Sequence, residues 1–124
     1  MDFVKLYENI LDLDPMIRFV TIFDMKGKII HGKYREGLTG ILNKKESKKS
    51  INEILKSNKT HNELSSKYGK EEYSVSVFEK IIRMTTPLDK KHILYVTTDG
   101  DVDPFTIIKK LTKLLQKQSN QAHL

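Results

Sequence analysis

Arginine occurs at only three positions, Arg18, Arg35 and Arg83, and these are where anion chemistry would be sought first. A guanidinium presents a planar fork of donors that matches a carboxylate or a phosphate. If strand register gathers the three, with Glu36 beside Arg35, they form a ligand-binding site for such an anion. The simpler expectation is an Arg–Glu ion pair that ties a loop to a sheet. Asp99, Asp101 and Asp103 alternate as in a calcium loop, but the twelfth position is Lys110, where a bidentate glutamate is required. Capping of a following helix is the better use of these acids. His31, His61, His92 and His123 lack H-x-x-x-H or H-E-x-x-H spacing; His31 and His92 could meet across adjacent strands, yet two imidazoles without a third ligand make a poor zinc site. No G-x-S-x-G elbow, phosphate-binding glycine loop or dinucleotide fingerprint occurs. No catalytic residue, metal ligand or cofactor is therefore assigned, and a non-enzymatic role is expected.

Lysine carries nearly all of the remaining positive charge. The chain has 124 residues, a net charge of +6 and no cysteine. Its pI is near 9.4. Such a balance favours anionic partners. Nucleic acid is thus a possible partner, although dedicated nucleic-acid surfaces use arginine and aromatics that are sparse here. Absent cysteine removes thiol chemistry and disulfides and fits a reducing compartment. The start, Met1-Asp2-Phe3-Val4-Lys5, shows no charged leader and apolar core of an export signal, and no apolar run approaches a membrane span. A cytoplasmic location without membrane contact is the expectation.

The elements that would position these residues follow from periodicity. Phe3, Leu6, Ile10 and Leu13 predict a helix over 3–13, ended by Asp14-Pro15. Ile17–Phe23 and Lys28–Gly32 predict a hairpin around Asp24-Met25-Lys26-Gly27. Residues 33–42 form a loop that could border a pocket. Asn43, three residues before Glu46, starts a helix from about Lys44 to Ser57, which 58–68 either extends or breaks, with Gly69 as a stop. Its apolar stripe is thin, and Lys44, Lys45, Lys48 and Lys49 cover much of its surface. Tyr73, Val75 and Val77 alternate with Ser74 and Ser76, as in a strand at a sheet edge. Ile81–Thr86 and His92–Thr98 predict two more strands. Asp103-Pro104 opens a last helix with Phe105, Ile108, Leu111 and Leu115 as its apolar face. One α/β domain over 1–117 with a flexible tail at 118–124 is expected. The order is α-β-β-α-β-β-β-α, an α+β fold in which one five-stranded antiparallel sheet carries flanking helices.

That order resembles the roadblock domain of the roadblock/longin and profilin-like group. The phrases Ile17-Arg18-Phe19-Val20, Gly32-Lys33-Tyr34-Arg35-Glu36-Gly37, Phe78-Glu79-Lys80-Ile81-Ile82-Arg83 and Thr86-Pro87-Leu88, with His92–Thr98, resemble an uncharacterised family of small archaeal proteins. The second resemblance implies no function. The first implies a scaffolding or regulatory module that dimerises and serves partners such as small GTPases. It further implies a dimer interface made by the lysine-rich helix and the serine-faced strand, here Lys44, Lys45, Lys48, Lys49, Ile51, Tyr73, Val75 and Val77. A small-ligand sensor with a pocket near 33–42, lined by Arg35 and Arg83, is the alternative.

Overall fold

A hairpin sets the geometry of the first half of the chain. The computed structural model describes residues 2–122. Strands β1 (Ile17–Asp24) and β2 (Ile29–Tyr34) pair antiparallel around a turn at Gly27, whose φ of 86° suits glycine. The Asp24 carboxylate accepts backbone N–H bonds from Lys26 and Lys28, both 2.9 Å, and these donors hold it below the usual carboxylate range. Helix α1 (Phe3–Leu11) precedes the hairpin and stops two residues short of the expected Leu13. Helix α2 (Lys44–Tyr68) is followed by β3 (Ser74–Val77), β4 (Ile81–Pro87), β5 (His92–Asp99) and helix α3 (Pro104–Ala122).

The five strands form one antiparallel sheet in the order β2-β1-β5-β4-β3. The last strand in sequence is the middle one in space, which its burial explains: six consecutive residues from Ile93 to Thr98 are inside. The expected element order and the α+β architecture are both present. Helix α3 continues to Ala122, past the expected boundary at 117; Met1, His123 and Leu124 lie outside the described residues.

Alternation along the strands divides the interior in two. Ile17, Val20, Ile22, Ile82, Met84, Leu94 and Val96 face α1 and α3 and pack with Leu6, Tyr7, Ile10, Ile107 and Leu111. The opposite face gives α2 Phe23, Ile93 and Tyr95, with half-buried Phe19, against Ile51 and Ile54. Polar Thr21, Thr85 and Thr97 are buried on the same face. The α1/α3 side therefore holds most of the apolar burial that stabilises the fold, and α2 lies on a thinner, half-polar layer. No helix among the described residues is long and apolar enough to cross a membrane.

Candidate functional site

Helix α2 is started by its sequence rather than by its packing. The Asn43 side chain accepts from the Glu46 N–H at 2.9 Å, and the Glu46 carboxylate accepts from the Asn43 N–H at 3.0 Å, a complete capping box. The helix then runs through 58–68 without a break to Gly69, whose φ of 83° ends it and whose N–H reaches the Ser65 carbonyl at 2.8 Å. Of its 25 residues only Ile51, Ile54 and Asn58 are buried. Lys44, Lys45, Lys48 and Lys49 are exposed. Ile51 is not available as a contact residue, because it is inserted between α2 and the sheet against Phe23.

Strand β3 is an edge: β4 lies on one side and, among the described residues, no strand on the other. Ser74 pairs with Thr85 and Ser76 with Arg83. Phe78 donates its N–H to the Ile81 carbonyl at 2.9 Å, so antiparallel alternation turns the N–H groups of Val75 and Val77 toward the open edge. Val77 is 67% exposed and Phe78 52%. Tyr73 instead turns inward, its hydroxyl 2.9 Å from that of Thr112 on α3.

The three arginines do not converge. Arg18 binds the Asp99 carboxylate at 2.6 Å at the bulge in β1. Arg35 donates from Nε to the Ile17 carbonyl at 2.7 Å and from Nη2 to the carbonyls of Leu11 and Asp14 at 2.5 and 2.8 Å. It does tie its loop down, but to backbone oxygens and not to an acid; Glu36 is exposed and makes no ion pair among the described residues. Arg83 lies on the other face, beneath α2, its guanidinium 3.0 Å from the Ser50 hydroxyl, 3.3 Å from that of Ser76 and 3.5 Å from the Glu53 carboxylate.

A cleft of about 270 Å³ opens beside Arg83, between α2 and strands β3 and β4. Ser57, Asn58, His61, Glu71, Ser74 and Thr85 line it with Arg83. The His61 ring rests against the Glu71 carboxylate, which fastens α2 to the chain entering β3. This cleft sits under α2, and residues 33–42 do not line it. Most of its lining was missed in the sequence. The signal available was the recurrence of Ser50, Glu53, Ser57 and His61 at i, i+3, i+7 and i+11, one flank of a helix.

His31 and His92 do not meet, because β1 separates their strands; His92 faces Asp89 at 3.0 Å. Asp103 caps α3, accepting the Phe105 N–H at 3.0 Å, while Asp99 serves Arg18 instead of the helix. Among the described residues no cluster of His, Asp or Glu could hold a metal ion.

No family model matches the sequence, and no curated protein matches it. Solved structures do. The gliding protein MglB from Thermus thermophilus superposes with a TM-score of 0.69 at 14% identity, over 96% of this chain and 83% of that one. A Roadblock/LC7 domain from Streptomyces avermitilis gives 0.69 at 9% identity over 100% and 98%. An MglB with a tetrameric arrangement gives 0.70 at 15% identity over 96% and 82%. With the element order and sheet topology described above, these likenesses show that the chain has the Roadblock/LC7 fold.

Proposed function

We propose that this protein is a non-enzymatic regulatory or scaffolding module that binds protein and pairs with a second copy of itself through β3 and the adjoining flank of α2. The observation that carries this reading is the open edge of β3. Two backbone N–H groups there lack a strand partner, and an exposed edge is a template for another strand. A two-fold axis beside β3 would pair the two copies antiparallel and join their sheets, the symmetry most soluble dimers use. Exposed apolar side chains on both elements, Leu64 and Tyr68 on α2 and Val77 and Phe78 at the end of β3, support it. A solved MglB of the same fold has a tetrameric arrangement, which supports self-association as a capacity of this architecture. A small GTPase is the class of partner that the fold analogy suggests.

Light scattering coupled to size exclusion tests the reading. The dimer mass is expected at high micromolar concentration, and Val77→Pro, which removes an edge N–H but none of the β3–β4 bonds, is expected to give a folded monomer. Monomer at every concentration in the unaltered protein contradicts it.

The cleft beside Arg83 supports a second reading, a sensor for a small anion. The Arg83 side chain is only 11% exposed and its guanidinium lies 5.8 Å from the Phe78 ring centre, so the group is held in place. Thermal shift with phosphate and small dicarboxylates tests this: a rise in Tm abolished by Arg83→Gln supports it, and no rise with any of them contradicts it.

A further inference from the structure

The lysines of α2 are distributed on one side only. At about 100° per residue, Lys44, Lys45, Lys48, Lys49, Lys56, Lys59 and Lys67 all fall within a sector of about 140°. The flank toward β3 holds Glu46, Glu53, Thr60, Leu64 and Tyr68, all exposed, and no lysine. A lysine excess that merely reflected composition would have spread over both flanks, since both are solvated. Within the lysine sector the only acid is Glu63.

A second element adds to this charge. The β1–β2 turn sits against the same side of α2: a side chain at Gly27 would meet Ile51 and Leu55 at 3.5 Å. Lys26 and Lys28 flank that glycine and are exposed, and the nearby Asp24 carboxylate is engaged by their backbone N–H groups. None of these lysines has a carboxylate within ion-pair distance among the described residues. The row from Lys44 to Lys59 is about 22 Å long.

We propose that this face docks the phosphate backbone of double-stranded DNA without reading its sequence. The charges are ammonium groups strung along one side of a helix, and a duplex presents a row of negative charge, about one per 1.7 Å of axis. The sector has no arginine to anchor an acidic protein surface and no aromatic on which single-stranded bases would stack. Its large apolar side chains are half-buried Leu55 and exposed Met25 of the turn, a pair set among lysines and too little apolar surface to enter a lipid interior. Helix α3 does not extend the surface, because it lies on the opposite face of the sheet. The face is separate from the β3 flank, so the proposal stands whether or not the protein pairs with itself.

Fluorescence anisotropy with a labelled 20-base-pair duplex tests it. Contact with about six phosphates gives micromolar binding at about 20 mM salt and a slope of log K against log salt near −5. The triple variant Lys48→Gln, Lys56→Gln, Lys59→Gln is expected to weaken binding about tenfold or more and to make the slope shallower by about 3. The triple variant Lys109→Gln, Lys113→Gln, Lys117→Gln removes the same charge from α3 and is expected to leave both nearly unchanged. Arginine at 48, 56 and 59 retains binding. Equal losses in the two glutamine triples, no binding at low salt, or binding to phosphatidylserine vesicles or polyglutamate in place of the duplex would each overturn the proposal. Circular dichroism confirms that each variant is folded.

Discussion

Arg35 acts as a structural residue through one feature of its chemistry, a fork that can satisfy several carbonyls at once. Its three acceptors come from the end of α1, the loop at Asp14 and the start of β1, so one side chain fixes where the first helix meets the sheet. Replacing it with alanine leaves those carbonyls short of a donor, and Arg35→Ala is expected to lose about 2–3 kcal/mol in urea unfolding. A loss below about 0.5 kcal/mol would mean that water replaces the guanidinium without cost. Tyr7 is the converse case. Its hydroxyl is buried without a hydrogen-bond partner among the described residues, and burial pushes its pKa up to about 12. Tyr7→Phe is therefore expected to raise stability by about 1 kcal/mol. The sign with pH follows from the neutral form being the one the fold holds. Below pH 10 both states are protonated and nothing changes; from pH 10 toward 12 the unfolded chain ionises first and stability falls, less so in Tyr7→Phe. The scarcity of arginine marked Arg35 in the sequence, but its partners are backbone atoms from three segments, which no pattern of residue types encodes.

At the scale of the element, α2 shows what local sequence can and cannot specify. Asn43 and Glu46 announce the helix start, and Gly69 its stop, because capping is a property of a few neighbouring residues. Asn43→Ala is expected to cost about 1 kcal/mol and to speed amide exchange over residues 44–48 more than in the sheet. Uniform exchange changes would instead mean that α2 opens only when the whole molecule unfolds. The continuity of 58–68 was not legible, since Asn58, Thr60, Asn62 and the serines there have weak helix propensity; Asn58 is buried at the sheet and His61 is held by Glu71. Ile51 is a different case: the resemblance implied a place for it in a dimer interface, and only the position of β1 shows that it is already covered.

For the whole molecule, element order and antiparallel pairing were legible because short connections leave consecutive strands few alternatives. The central place of β5 fits its apolar run Ile93–Val96, and the edge position of β3 was foreshadowed by its alternating serines. The cleft was not foreseen, because it joins α2 to β3 and β4 through side chains far apart in sequence. What the architecture leaves is an asymmetric molecule. One face of the sheet is closed by α1 and α3, and the other carries a lysine-edged helix next to a strand with one open edge. Self-association through β3 requires that strand to find a copy of itself. Hydrogen exchange at the Val75 and Val77 amides measures it directly, because in the isolated chain both point away from β4. Protection of these two amides that rises as the protein is concentrated from about 1 μM to several hundred μM is the predicted result, with Ser76 protected throughout. Fast exchange at Val75 and Val77 at every concentration would contradict it.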